Sequence, residues 1–243
     1  MINKYELLGV KKIPIYQDRD LYTFTIDSVL LASFANVKQN KEEILDLGTG
    51  VCPIPLYLTL KTKSHITGIE IQNVLYDLAL KSVKMNMKEE QISLINDDMK
   101  NLNKYFAPHS FDHVLSNPPF FKTKEDSHVN PNSVKAIARH EVMITLDSLV
   151  KTAASNLKYL GKFSIVYRPE RLGDLMEAMY RYQIVPKRIR FAYDTEESLE
   201  ACHVLVEGVY KGRGSGLKVL KPLYIHPHES CHKDEILRIY NGE

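Results

Sequence analysis

The sequence predicts an α/β domain built on a mostly parallel sheet with helices packed on both faces. Three observations predict it. From about residue 40 onward, short β-rich runs alternate with helical patterns, the signature of strand–helix–strand units. The first run passes through a glycine turn into a helix. Acidic residues close the first, second and third runs, at the edge where open α/β sheets bind their ligands.

In chain order, strands are expected at Glu43–Leu47, His65–Ile69, Ile92–Asn96, Phe111–Ser116, Lys162–Tyr167, Arg188–Tyr193 and His203–Tyr210. Helices are expected at Pro53–Leu60, Val74–Met87, Leu146–Tyr159 and Leu172–Tyr182, the second and third with apolar residues three and four apart. Upstream, Tyr16–Phe24 reads as a turn or hairpin, and Ile26–Ala35 as a helix started by Thr25 or Asp27. Gly212, Gly214 and Gly216 mark a turn expected to join two antiparallel strands. No linker, repeat or low-complexity segment interrupts the chain. One domain over residues 1–243 is the reading, with a hairpin and helix extension (1–40), a core (41–220) and a C-terminal tail (221–243).

Bulk properties narrow the class. The 243 residues suffice for one well-cored domain. A net charge of only +2 gives no global field toward nucleic acid, so any RNA contact must rest on local charge. Cys52, Cys202 and Cys231 are few and widely spaced, which fits a reducing compartment rather than a disulfide framework. The opening MINKYELLGV lacks the apolar core of a signal peptide, and no stretch is long and apolar enough to span a bilayer. A cytoplasmic protein with no membrane association and no obligatory protein partner is expected.

The first strand runs into Asp46-Leu47-Gly48-Thr49-Gly50-Val51-Cys52-Pro53. Gly48 and Gly50 allow a tight turn and close approach to a ligand. A dinucleotide fingerprint requires a third glycine where Pro53 stands, and the Asp46 carboxylate would repel a pyrophosphate. That disfavours a nicotinamide oxidoreductase. The same carboxylate suits the ammonium and sulfonium end of S-adenosyl-L-methionine. Glu70 closes the second strand and can accept both ribose hydroxyls. Asp98, after the third, can accept from the adenine amino group, with Met99 against one ring face and Ile71 a candidate for the other. Each acid alone is open to a plainer reading as a solvated loop residue or helix cap, and for Asp98 alone that plainer reading is favoured.

The fourth strand ends in Asn117-Pro118-Pro119-Phe120. An aromatic amino nitrogen is a poor nucleophile because its lone pair is delocalised into the ring. Two oxygens accepting its N–H bonds hold it toward tetrahedral geometry and stabilise the developing positive charge. The Asn117 side chain supplies one oxygen and the Pro118 carbonyl the other, and the prolines stiffen both. Phe120 is placed to stack on a flipped base, worth about 1–3 kcal/mol. The plainer alternative is a proline-stiffened turn with Phe120 in the core. Intact acids and Asn117 argue against a non-catalytic RNA-binding module.

The succession DLGTG, GIEIQ, NDDM and SNPPFF resembles amino-methyltransferases of the gamma class. Together with KAIARHEVMITLDSLVKTAA, VYRPERLGDLMEAMYRY, HVLVEGVYKG and FTIDSVLLASFA, it is similar to the bacterial tRNA(Val) adenine-N6 methyltransferase family, whose members modify the adenine next to the anticodon. The resemblance fades after Lys218. It implies a Rossmann-like, class I methyltransferase fold with a seven-stranded sheet whose last strand is antiparallel. It further implies a donor site of Asp46, Gly48, Gly50, Glu70 and Asp98, catalysis by Asn117 to Phe120, and RNA as the partner. The TIDS segment matches the part near the methionine end of the donor, which brings in Thr25 and Asp27. Two positions depart from the family: Cys52 replaces the usual glycine, and Phe120 is often tyrosine. Asn-Pro-Pro-Phe also occurs in rRNA guanine-N2 methyltransferases, and Asn-Pro-Pro-Tyr in protein glutamine methyltransferases, so adenine rests on the flanking resemblance.

Weaker signals remain open. Arg139 and His140 read equally as phosphate contacts or as the start of a helix. Arg168, Arg188 and Arg190, with Arg171, Arg181, Lys187 and interleaved aromatics, form either an RNA face or a solvated face over buried rings. His226, His228, Cys231 and His232 include zinc-ligand types, but Pro227 prevents a helical presentation of its flanking histidines, and no metal site is expected.

Overall fold

The computed structural model describes residues 2–7, 10–18, 25–118, 145–228 and 230–242. It opens with an antiparallel hairpin, β1 (Ile2–Leu7) and β2 (Val10–Asp18), followed by helix α1 (Ile26–Phe34). The core then runs β3 (Glu43–Leu47), α2 (Pro53–Leu58), β4 (His65–Glu70), α3 (Asn73–Met85), β5 (Ile92–Asn96) and β6 (Phe111–Ser116). After residue 144 come α4 (Leu146–Asn156), β7 (Leu157–Tyr167), α5 (Leu172–Arg181), β8 (Ile184–Tyr193) and β9 (His203–Tyr210). Two short strands, β10 (Lys218–Val219) and β11 (Leu223–Tyr224), and helix α6 (Ser230–Asn241) complete it.

The main sheet has the order β10-β8-β9-β7-β6-β3-β4-β5, with β11 also beside β8. The strands from β7 to β5 pair in parallel, and β9 runs antiparallel to both β7 and β8. The expected seven strands with an antiparallel last member are present, and β10 and β11 bring the sheet to nine. These additions cover the outer edge of β8, which would otherwise offer unpaired backbone groups. The turn at Gly212, Gly214 and Gly216 departs from expectation. It leads from β9 to β10, which lie on opposite sides of β8 and do not pair with each other.

Two apolar clusters cover the two faces. One gathers Ile44, Ile66, Leu115 and Leu205 under α1, α2, α3 and α6. The other gathers Leu45, Leu47, Val114, Phe163 and Val206 under α4 and α5. Burial on both sides explains the adjacent apolar pairs Ile44-Leu45, Val114-Leu115 and Ile165-Val166 in β3, β6 and β7. The tail is part of this core: Leu223, Ile225, Ile236 and Ile239 are buried, and the Tyr57 hydroxyl donates to the Ile239 carbonyl at 2.8 Å.

Helix α1 is held at its C-terminal end by a half-buried cation. The Lys61 ammonium donates to the carbonyls of Ala32, Ser33 and Ala35 at 3.0, 2.6 and 2.8 Å, meeting acceptors the helix itself leaves unpaired. Burial, with the Arg188 charge added, pushes the Lys61 pKa down to about 8.

Candidate active site

The register of the parallel strands aligns the expected site residues in one row. Asp46 pairs with Leu115 on β6 and with Gly68 on β4, and Glu70 pairs with Asn96 on β5. Two residues beyond the Asp46 pairings, Asn117, Gly48 and Glu70 come level at the carboxyl edge. The turn between β3 and α2 is shaped by Gly48 (φ +72°) and Gly50 (φ +57°), both in the left-handed region. The N–H groups of Gly48 and Thr49 both donate to the Ile69 carbonyl at 3.0 Å, folding the turn onto β4. Gly68 permits that approach: a Cβ there would lie 3.0 Å from Thr49 and 2.9 Å from Leu94.

Cys52 also has a left-handed backbone, at φ 74°, just before Pro53 opens α2. This accounts for the glycine usual in the resembling family: a side chain in that conformation costs about 1–2 kcal/mol. Here the thiol is fully buried in the first core cluster, and its packing offsets the strain.

Asp46 is fully buried, and neither carboxylate oxygen has a hydrogen-bond partner among the described residues. Burial, reinforced by the Glu70 charge, pushes its pKa up to about 7. The nearby Thr49 hydroxyl opposes the shift without reaching hydrogen-bond geometry. A buried, unpartnered carboxylate is costly unless a proton or a cation meets it. The ammonium and sulfonium of S-adenosyl-L-methionine are cations of the right kind. Glu70 is also buried, but engaged: Oε2 accepts from the Gly50 N–H and Oε1 from the Gln72 N–H, each at 2.9 Å. Burial raises its pKa and those N–H groups oppose the rise. A carboxylate has about four acceptor sites, so capacity remains after two bonds.

Asn117 follows β6, half-buried, and its amide nitrogen donates to the Ser28 hydroxyl at 3.0 Å. Pro118 beside it is buried. Ser28 lies in the first turn of α1, so the TIDS segment reaches the site through a residue that sequence reasoning passed over. Thr25 stands at the N-cap position without a side-chain capping bond, and its hydroxyl donates to Asp27 Oδ2 at 2.8 Å. Asp27 is buried, and its Oδ1 lies 3.0 Å from His203 Nε2 at the start of β9. Thr25 and Asp27 thus brace the helix start. Pro119, Phe120, Arg139 and His140 lie outside the described residues.

At the third strand end, Asp98 caps a short 3-10 helix (Met99–Lys104), its Oδ1 accepting from the Lys100 N–H at 2.9 Å. Met99 is buried in the second core cluster and Ile71 is half-exposed. Asp97 is the more engaged acid. It accepts from Asn101 and Tyr105 and lies 3.4 Å from the Lys104 ammonium; the Asn101 amide leads in holding its pKa down to about 2.

The basic residues around β8 each have partners within the chain. Arg188 pairs with buried Glu207 at 2.9 Å and lies over the Phe34 ring. Glu207 also accepts from Ser164, whose hydroxyl meets fully buried His113 at 2.8 Å. Arg190 binds the carbonyls of Lys221 and Pro222 and pairs with Glu235 at 2.7 Å, fastening the tail. Arg181 pairs with Asp147 and Glu177, and Lys187 donates to the carbonyls of Arg213 and Ser215. Arg168 follows β7 at the carboxyl edge, half-exposed and 3.4 Å from Glu170. Among the described residues, no group of His, Cys, Asp and Glu is placed to hold a metal ion. His226 pairs with Asp194 at 2.7 Å, and the His228 N–H donates to Glu196. No helix among these residues is long and apolar enough to cross a membrane.

This architecture has close counterparts. A protein of Agrobacterium tumefaciens described as a predicted O-methyltransferase superposes with a TM-score of 0.70 at 18% identity, covering 89% of this chain and 96% of its own. Pyrococcus horikoshii TYW2, solved in complex with MeSAdo, superposes at 0.61 and 14% identity, covering 87% and 72%. Both likenesses establish the class I methyltransferase fold. In sequence, the chain is similar to the tRNA1(Val) (adenine(37)-N6)-methyltransferase of Bacteroides thetaiotaomicron, 29% identical over 180 residues that cover 73% of each chain. It is 26% identical over 190 residues to the enzyme of the same name from Porphyromonas gingivalis, covering 76% of this chain and 73% of that one. The family described as Methyltransferase small domain matches residues 25–191, from the first turn of α1 into β8, and the chain belongs to that family.

Proposed function

We propose that the protein transfers the methyl group of S-adenosyl-L-methionine to the N6 amino group of an adenine in tRNA, the base next to the anticodon of tRNA(Val). The observation that carries the reading is the pair of buried, unpartnered Asp46 oxygens near the end of β3, the strand whose glycine turn comes level with Asn117. The names of the curated relatives support adenine and tRNA.

When bound, S-adenosyl-L-methionine supplies an electrophilic methyl on a positively charged sulfur. Asp46 neutralises positive charge at the methionine end. Glu70 accepts from the ribose hydroxyls with its remaining capacity and holds the Gly50 N–H in place. Asn117 Oδ1 and the Pro118 carbonyl accept the two N–H bonds of the substrate amino group. Held so, the nitrogen would present its lone pair to the methyl group that the donor would supply, and its surplus proton would leave to water after transfer. No strong general base is required, because the nitrogen becomes acidic only on methylation.

The test is label transfer from tritiated donor into tRNA, rRNA and a protein extract from a strain lacking the gene, with digestion of the labelled RNA to nucleosides. N6-methyladenosine in the tRNA fraction is the expected product. Methylguanosine in rRNA, or label in protein, would refute the substrate assignment. Glu70→Ala is expected to weaken donor binding about 10- to 100-fold, the loss of one or two hydrogen bonds to a charged acceptor. Calorimetry with the donor alone measures it, and an unchanged affinity would remove Glu70 from the donor site.

A further inference from the structure

We propose that Ser28 is a positioning residue for methyl transfer: by accepting the Asn117 amide nitrogen, its hydroxyl turns the Asn117 carbonyl oxygen toward the substrate amino group. The inference rests on the activity proposed above and adds a residue to its machinery.

An asparagine amide has two ends of nearly equal size and opposite chemistry, one a pure acceptor and the other a pair of donors. Only the acceptor end serves a substrate that presents N–H bonds. A flipped amide would set donor against donor, so its orientation must be fixed by a partner at the other end. In the structure that partner is Ser28, 3.0 Å from Nδ2 and 2% exposed, so that water does not compete for the bond.

The first turn of α1 is secured without it. Asp27 is bound by Thr25 and by His203, the Ser28 N–H donates to the Thr25 carbonyl at 3.3 Å, and Lys61 closes the far end of the helix. The Ser28 hydroxyl is therefore an added link from a braced helix to the reactive strand end, 89 positions away in sequence. Pro118 has no N–H and a fixed φ, so the main-chain acceptor is stiffened by its own ring while the side-chain acceptor depends on Ser28.

A serine hydroxyl can also donate, and that ambivalence makes the proposal sharp. If Ser28 donated to Asn117 Oδ1, it would occupy the oxygen the reaction needs, and removing the hydroxyl would leave turnover unchanged or raise it.

The experiment uses the full chain, bulk tRNA and tritiated S-adenosyl-L-methionine. Ser28→Ala is expected to lower kcat roughly tenfold, the effect of one positioned hydrogen bond, with KM and calorimetric affinity for the donor unchanged. Ser28→Thr keeps the hydroxyl and restores most of the rate. Ser28→Cys, whose sulfur is a weak acceptor, repeats the loss and serves if the alanine variant does not fold. In an Asn117→Ala background, Ser28→Ala lowers the residual rate no further, whereas a merely structural role would add its own loss. Equal or higher kcat for Ser28→Ala beside an active wild type overturns this proposal alone. Failure of the wild type to methylate any RNA overturns the activity and this proposal together.

Discussion

Asn117→Ala is expected to lower kcat by about 10²–10³-fold while leaving donor affinity within about twofold, the pattern of a group that acts in the transition state. The ground-state amino group is planar and nearly neutral, and gains little from two oxygens. As the carbon–nitrogen bond forms, positive charge collects on the nitrogen and its N–H bonds become strong donors. The oxygens are then worth far more than before, which is the condition for raising kcat rather than lowering KM. The Pro118 carbonyl stays in place in the variant, so a residual rate above background is expected. Asn117→Asp separates geometry from chemistry further. It keeps acceptor oxygens but loses the donor to Ser28 and adds a negative charge at the edge that already carries Asp46 and Glu70. An intermediate rate is expected for it. Single-turnover rates with labelled donor measure both, and near-normal turnover in Asn117→Ala would remove the strand end from the chemistry.

Much of this site was legible before the fold was seen, for a physical reason. In a parallel sheet covered on both faces, strands read as short apolar runs, and the residues that meet ligands stand where those runs stop. Thus β3, β5, β6 and β9 fall on their expected bounds, and Asp46, Glu70 and Asn117 stand at the ends of three of the central strands. What the sequence hid was pairing at a distance. Arg188 and Arg190 pair with Glu207 and Glu235, 19 and 45 positions away, and nothing local in the sequence announces those partners. Ser28 carried no local signal, since a serine in the first turn of a helix is ordinary. Asp98 shows the converse: a loop residue or helix cap is the plainer reading of that acid alone, and the structure has it capping a short helix. The start of β7 lies inside the expected helix Leu146–Tyr159 because α4 runs into the strand without a break. The strand begins at Leu157 and passes Leu160 at φ 61° before the apolar run that marked it. The hairpin strand β1 was missed because INKYEL is half polar and lies outside the sheet.

Asp46→Asn is expected to move stability and function in opposite directions. In the ligand-free protein the carboxyl pKa rises from 3.8 to about 7, chiefly by burial. An acid whose folded pKa lies above its unfolded value binds its proton more tightly when folded. Below pH ~4 the proton is bound in both states and nothing is lost. As the pH climbs toward 7 the unfolded chain ionises freely while the folded chain resists, and above 7 the whole penalty is present. The neutral amide escapes it, less the cost of its own buried polar atoms. Asp46→Asn should therefore stabilise the ligand-free protein by about 1–3 kcal/mol at pH 8, with a vanishing difference near pH 4. Thermal melts at the two pH values measure this. Donor affinity should fall by about 10- to 100-fold in the same variant, because a charge-assisted contact is lost. In the wild type that affinity should drop by about tenfold per pH unit below 7, where the carboxyl must first release its proton, and the variant should show no such slope. The donor's own ammonium stays protonated throughout that range, with an ordinary pKa of about 7.7–8.0, and does not produce the slope. A carboxylate kept for the fold would lose stability when neutralised. Lower melting at pH 8 with unchanged donor affinity would place Asp46 among such residues, whereas higher melting with weakened, pH-independent binding identifies a charge held out of water for its ligand.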